Sequence, residues 1–227
     1  VLMHELIYQH IDQLANCDVK GNNSDVALWT VDNFLPSSVY TQVVKEIDDI
    51  PSTYWRTFKA DTHSRSECTD WHTAPITRTL QYSMCSAKFN NWIESITGQK
   101  GLVADPQSHA AGLTYISQGG HIAQHKDFNW NQQLQMNRRV NVILYTTRTW
   151  QREWGGNLNF YDDYGSQPVL SVEPMPNRLI IWRYDVDLVH GVDTVQSPHH
   201  TMRTNLMNWY YQSNGTWEHE PQRTTYA

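Results

Sequence analysis

From about residue 112 onward the chain is a succession of short β-type runs, each bounded by Gly, Pro, Asn or Asp. Leu113-Thr-Tyr-Ile116, Val140-Asn-Val-Ile-Leu-Tyr145, Leu158-Asn-Phe-Tyr161, Leu179-Ile-Ile-Trp182 and Asn205-Leu-Met-Asn-Trp-Tyr-Tyr211 are rich in β-branched and aromatic residues and short for helices. Several such strands in succession predict a sandwich or jelly-roll barrel, a fold that encloses a cavity. Ten Trp and twelve Tyr favour the same class, because aromatic side chains suit a pleated surface better than a solvated helix.

The first 110 residues read differently. Leu2, Leu6, Ile7, Ile11 and Leu14 recur at helical spacing. Residues 26–34 read as a strand, and Leu35-Pro36-Ser37-Ser38 then opens a helix through Val39, Val43, Val44 and Ile47 that Pro51 stops. A further helix is predicted over residues 86–97, with Phe89, Trp92, Ile93 and Ile96 on one side and Gly98 at its end. Residues 51–75 are polar and turn-rich and carry Trp55, His63, Trp71 and His72, so they read as a long surface loop. That loop and residues 128–138 are candidate lids. The expected architecture is mainly β with supporting helices: one domain over residues 1–227, in which residues 1–110 support a double-stranded β-helix (jelly-roll) barrel over 111–212.

Composition narrows the partners. A formal net charge of −6 provides no basic field for a phosphate backbone, so a peptide or small molecule is expected rather than nucleic acid. Cys17, Cys68 and Cys85 are far apart and form no C-x-x-C pair, which argues against a disulfide framework and for buried, inert thiols in a reducing compartment. There is no apolar run of membrane-spanning length, and Val-Leu-Met-His-Glu5 lacks a basic start and an apolar signal core, so a soluble cytoplasmic protein is expected. Asn214-Gly-Thr216 then reads as a turn.

His125 and Asp127 stand two apart in Tyr115-Ile-Ser-Gln-Gly-Gly-His-Ile-Ala-Gln-His-Lys-Asp127. On a strand such residues project from one face and can reach one metal ion together. His190, in Asp187-Leu-Val-His190, is a third candidate from a distant segment. Two histidines and one carboxylate leave the opposite face of a metal open, the arrangement of non-haem Fe(II) oxygenases. In order after the H-x-D pair come Arg139 to Trp150, Trp154-Gly155-Gly156-Asn-Leu158, Pro176-Asn-Arg-Leu-Ile-Ile-Trp182, Asp187 to His190, and Arg203-Thr-Asn-Leu-Met-Asn-Trp-Tyr-Tyr211.

With this ordered set the chain resembles the 2-oxoglutarate and Fe(II)-dependent oxygenases, in particular the prolyl 4-hydroxylase-like branch with the oxygen-sensing prolyl hydroxylases. The resemblance covers residues 110–212, and more loosely the Asn33-Phe-Leu-Pro36 opening. It implies Fe(II) on His125, Asp127 and His190, and 2-oxoglutarate held at its distal carboxylate by Arg203 and Tyr145, with Tyr115 and Asn205 beside it. A guanidinium suits that task because its planar fork pairs both carboxylate oxygens and keeps its charge. The resemblance also implies that Trp209 lies along the substrate side of the iron pocket, and Arg203, Asn205, Met207 and Trp209 share one strand face; Trp130 and Trp55 are further candidate substrate contacts. The implied reaction consumes O2 and 2-oxoglutarate, hydroxylates an unactivated C–H bond, and releases succinate and CO2; ascorbate is an optional addition.

The implied substrate is a proline in a peptide or protein. A free amino acid, a methylated nucleic acid and a non-catalytic metal-binding barrel are the alternatives. The thirteen residues from His190 to Arg203 exceed the spacing of the oxygen-sensing relatives and include Gln196-Ser-Pro-His-His200. Adjacent His199 and His200 would face opposite ways on a strand and follow a Ser-Pro turn, so they read as solvated loop, as does His121.

Overall fold

The computed structural model describes residues 3–14, 19–22, 26–184, 187–214 and 216–227. Leu2, Cys17 and Gly215 lie outside the described residues. Four helices support the sheet: α1 (Met3–Gln13), α2 (Ser37–Asp48), α3 (Pro75–Met84) and α4 (Ala87–Thr97). The strands are β1 (Lys20–Asn22), β2 (Leu28–Val31), β3 (Trp55–Ala60), β4 (His63–Cys68), β5 (Val103–Ala104), β6 (Gly112–Ile116), β7 (Ile122–Lys126) and β8 (Trp130–Asn131) in the first part. The rest are β9 (Met136–Tyr145), β10 (Leu158–Tyr161), β11 (Leu170–Val172), β12 (Leu179–Arg183), β13 (Val189–Val192), β14 (Arg203–Gln212) and β15 (Thr225–Tyr226). Their antiparallel pairings join them in the order β1-β2-β12-β9-β14-β6-β4-β7-β13-β10-β11. The result is the curled jelly-roll sheet that the short-strand pattern predicts.

Strand alternation divides the interior in two. Val140, Val142 and Leu144 of β9 and Leu206 and Tyr210 of β14 turn outward and pack with the helices' Ile7, Val39, Leu80 and Phe89. Ile143, Tyr145, Met207 and Trp209 turn into the barrel, where they meet Phe160, Trp182 and Val192. The helical stripes read from sequence correspond to α1, α2 and α4. Ser86 caps α4 by accepting the Phe89 N–H, and Gly98 ends it at φ +73°.

Two expectations change. Residues 51–75 are not mainly an irregular loop: β3 and β4 form a hairpin, and β4 joins the sheet against β6 and β7. Its polar surface is that of a half-exposed pair. Helix α3 escaped the sequence reading because its buried face includes Thr77, Gln81 and Ser83 beside Leu80 and Met84, which blurs the apolar period. Cys68 and Cys85 are free, and burial raises both thiols, Cys85 to about 11, as befits inert sulfur. Among the described residues no helix is long and apolar enough to cross a membrane.

Candidate active site

One cavity inside the sheet gathers the sequence-predicted ligands. His125 lies directly opposite His190 across the β7–β13 pair, and their ring centroids are 4.3 Å apart. This register needs close strand approach at Gly191, where a Cβ would meet the Ile122 carbonyl oxygen at 2.9 Å. Asp127 follows the end of β7, and its two oxygens lie 3.5 Å from His125 Nε2 and 3.4 Å from His190 Nε2. One ligand atom from each of the three falls within 4.8 Å of the others.

The outer hydrogen bonds set the donor chemistry. Nδ1 of His125 faces the Ala123 carbonyl oxygen at 2.9 Å, and Nδ1 of His190 faces that of Leu188 at 3.4 Å. A carbonyl only accepts, so Nδ1 carries the proton and each Nε2 turns its lone pair toward Asp127. Two lone pairs and a carboxylate aimed at one point repel unless a cation lies between them. This donor set fits Fe(II), with an open side for other ligands.

Arg138, which the sequence reading did not single out, completes this end. Its Nη2 pairs with Asp127 Oδ2 at 2.8 Å, its Nε donates to Asn141 Oδ1 at 2.6 Å, and its guanidinium lies over the rings of Trp209 and Phe128 at 4.2 and 4.7 Å. A bulge explains why it was missed. Tyr210 pairs with Val140 but Tyr211 pairs with Arg138, so Arg139 is the extra residue and the alternation shifts phase. Unbroken alternation from Tyr145 would point Arg139 inward; instead Arg139 pairs with Glu218 on the outside. The only signal was the Arg138-Arg139 doublet at a strand start. Burial would raise the Asp127 carboxyl, but the Arg138 guanidinium outweighs it and holds it well below the usual carboxylate range. Burial, then the charge of His125, lowers His190, which favours the neutral ligating form.

At the other end lies Arg203, 2% exposed. It donates Nε–H to the Gly156 carbonyl at 2.7 Å, Nη1–H to Asn205 Oδ1 at 3.0 Å and Nη2–H to the Tyr145 hydroxyl at 3.1 Å. Gly156, at φ +67°, admits this approach: a Cβ there would come within 3.2 Å of Arg203 Cδ. Asn205 in turn donates to Thr114 Oγ1 at 2.9 Å. Among the described residues no carboxylate lies within ion-pair distance of Arg203. A buried cation hydrogen-bonded only by neutral groups is suited to an anionic ligand.

The remaining site expectations divide. Trp209 lines the cavity and donates Nε1–H to the Ala110 carbonyl at 3.0 Å. Tyr115 does not line it: alternation on β6 turns Thr114 and Ile116 inward and Tyr115 outward onto Trp55, 4.7 Å between centroids. Trp55 is therefore also away from the triad. Trp130 packs on Trp217 and borders a neighbouring surface groove with Phe128 and His109. His199 and His200 are exposed loop residues, in a turn closed by Ser197 Oγ–H donating to the Thr201 carbonyl. His63, Arg65, Thr224 and Tyr226 line the cavity's edge and were not anticipated.

Comparison with known proteins agrees with this geometry. Residues 111–211 match the family model described as the 2OG-Fe(II) oxygenase superfamily. A stretch of 78 residues is 36% identical to Prolyl 3-hydroxylase OGFOD1 of Mus musculus, covering 33% of this chain and only 14% of that protein's length. Among solved structures, a Trichoplax adhaerens prolyl hydroxylase in complex with a hypoxia inducible factor oxygen degradation domain peptide fragment superposes with TM-score 0.57 at 18% identity, over 92% of this chain and 90% of that one. A Pseudomonas putida prolyl-4-hydroxylase gives 0.60 at 15% identity, over 94% and 100%. At these identities the structural likeness speaks to the fold.

Proposed function

Since residues 111–211 belong to the 2OG-Fe(II) oxygenase superfamily, we propose that this protein is a prolyl hydroxylase acting at C-4 of a proline in a peptide or protein. The observation that carries the reading is the pairing, in one cavity, of a two-histidine, one-carboxylate cluster with a buried arginine that, among the described residues, has no carboxylate within ion-pair distance. Fe(II), held by His125, Asp127 and His190, would supply oxygen activation, with 2-oxoglutarate as the reductant.

The chain's own residues orient and exclude. Arg203 and Tyr145 bind the distal carboxylate of 2-oxoglutarate, Asn205 fixes the guanidinium, and Thr114 fixes Asn205. Arg138 engages one Asp127 oxygen and leaves the other to the metal, and the ring of Trp209 beneath Arg138 limits water on that side. In the overall reaction one oxygen atom of O2 enters a substrate C–H bond and the other enters succinate. 2-Oxoglutarate and substrate each give up two electrons, and CO2 leaves. The names of the mouse relative and the solved neighbours, which specify prolyl hydroxylases of those organisms, support a prolyl substrate.

The test is O2-dependent succinate formation by protein supplied with Fe(II) and 2-oxoglutarate, alone and with proline-containing peptides, free proline or methylated oligonucleotides. Stimulation by a peptide with a mass gain of one oxygen on proline is expected, and amino-acid analysis separates 4- from 3-hydroxyproline. Stimulation by free proline or oligonucleotide alone would move the substrate, and metal binding with no succinate would leave a binding barrel.

A further inference from the structure

Strand β7 carries His125, and its two edges are unequally used. β13 pairs along one edge. On the other, β4 pairs only where His63 meets Ile122, then diverges. The place it leaves beside the metal cluster is taken by the two-residue strand β15, with Thr225 opposite Lys126 and Tyr226 opposite His125. The Ala227 N–H donates to the Gln124 carbonyl at 3.0 Å.

That bond fixes the phase of the ladder. Antiparallel pairs alternate between hydrogen-bonded and non-hydrogen-bonded, so if Ala227 and Gln124 are bonded, Tyr226 and His125 are the non-bonded pair. The N–H at position 226 therefore points away from β7. This is a position at which a proline, which has no N–H, loses no ladder bond, and an edge strand tolerates its φ. Partners in a non-bonded pair stand closest, with side chains on one face. The Tyr226 ring accordingly lies 5.2 Å from the His125 ring and 5.7 Å from that of His63, over the cavity.

The present occupant is lightly held. Thr225, Tyr226 and Ala227 are all exposed, Tyr226 by 37%. Outside the ladder, Thr225 is fixed by the Tyr164 hydroxyl donating to its carbonyl at 3.0 Å. Segments with few buried contacts open at low free energy. Further back the chain is better anchored: Gln222 donates N–H to Asn129 Oδ1 and Nε2–H to the Asp127 carbonyl, and Asn129 donates to the Glu220 carbonyl.

We propose that this edge of β7 is the peptide-docking strand, that an extended substrate pairs antiparallel with its target proline opposite His125, and that residues 224–227 are a displaceable occupant of that place. The proposal rests on the prolyl hydroxylase reading and deepens it by giving substrate direction and register. The tail is thereby a built-in competitor. Main-chain bonds to β7 supply affinity, and the inward position opposite His125 selects the residue presented to the metal.

The probe is a synthetic peptide copying residues 219–227 with Tyr226→Pro, which also contains Pro221 as an internal control. It is offered to the full chain, to the chain lacking residues 224–227, and to Tyr226→Ala, which keeps the backbone but clears the inner face. Mass spectrometry is expected to find the added oxygen on the substituted proline and not on Pro221. KM for the peptide is expected to fall about five-fold or more without the tail, and less in Tyr226→Ala. With oxygen excluded and Fe(II) and 2-oxoglutarate bound, saturating peptide should speed hydrogen exchange at the Ala227 amide about ten-fold while Lys126 stays protected. An unchanged or raised KM on deletion, an unmoved Ala227 amide, or oxygen on Pro221 would overturn the strand proposal while leaving a hydroxylase in place. Failure of all three proteins to hydroxylate this peptide, free proline or polyproline would overturn the prolyl reading and the proposal with it.

Discussion

The two ends of the cavity each bury an arginine, and they satisfy it in opposite ways. Arg138 has its counter-ion in the protein, the Asp127 carboxylate at 2.8 Å, and stacks on Trp209. Arg203 is as deeply buried, but among the described residues it donates to a carbonyl, an amide oxygen and a phenol, and the Asp193 carboxylate acts on it from beyond ion-pair distance. Breaking a buried ion pair is expensive because a charge is left alone, whereas a buried charge held by neutral groups gains most when its counter-ion arrives. The Asp127 end is thus neutralised within the chain, and the Arg203 end is suited to an incoming anion.

The largest expected effect comes from Asp127→Ala, which removes both the proposed metal ligand and the partner of Arg138. It should abolish peptide-coupled hydroxylation; full activity by succinate and mass-gain assays would remove the ligand assignment. Next is Arg203→Met. Losing one partner of a buried charged pair costs about 2–5 kcal/mol, which would raise KM for 2-oxoglutarate by roughly 30- to several-thousand-fold. Metal affinity should hardly move, and calorimetry with metal alone checks this. If both affinities fell together, the two ends would not be separable.

Arg138→Met probes the opposite end. It leaves the buried Asp127 unpaired, so in the metal-free protein a loss of about 3 kcal/mol is expected, which for a chain of this size lowers Tm by roughly 6–12 °C. Arg203→Met should cost less than this without ligand, since it removes no ion pair. Metal affinity in Arg138→Met should drop about 10–100-fold, the usual effect of losing a ligand's hydrogen-bonded support. Equal Tm losses in the two variants would erase the contrast.

The smallest effect is a pH dependence of the metal-free protein. Burial and the charge of His125 lower His190 below 6.5, and burial lowers His10 and His63 as well. The unfolded chain then takes up protons before the folded one. Stability is fully present above about pH 6.5 and lost as pH falls through the lowered folded values. Asp127 stays ionised in this window. A Tm that is flat or rises from pH 7.5 to 5.5 would contradict it.

Legibility in the sequence followed the same division. Two-residue alternation in β14 puts Arg203, Asn205, Met207 and Trp209 on one face, as they stand in the cavity, and the H-x-D pair belongs to the cluster that gathers with His190. Arg138 was hidden because a bulge at Arg139 shifts the phase of β9, which no local pattern announces. Tyr115 was assigned to the cavity by resemblance, yet the alternation of β6 turns it to Trp55, and Thr114 stands in the site instead. β7 carries no apolar alternation of its own; only the H-x-D spacing argues for a strand there, and the strand is held by pairing with β13. The edge occupied by β15 was unreadable for the same reason, its partner lying far away in sequence, whereas β3 and β4 pair across a two-residue turn and were hidden by their polar residues, which show no apolar alternation.

Recognition of a distal carboxylate by Arg203 is the central point to test. Binding of 2-oxoglutarate and of 2-oxobutyrate, which keeps the metal-chelating keto acid but lacks the distal carboxylate, should be measured on the metal-loaded protein without oxygen, in the full chain and in Arg203→Met. The account predicts that 2-oxoglutarate binds at least about 30-fold more tightly than 2-oxobutyrate, and that Arg203→Met removes the difference. Equal affinities in the unaltered protein would contradict it.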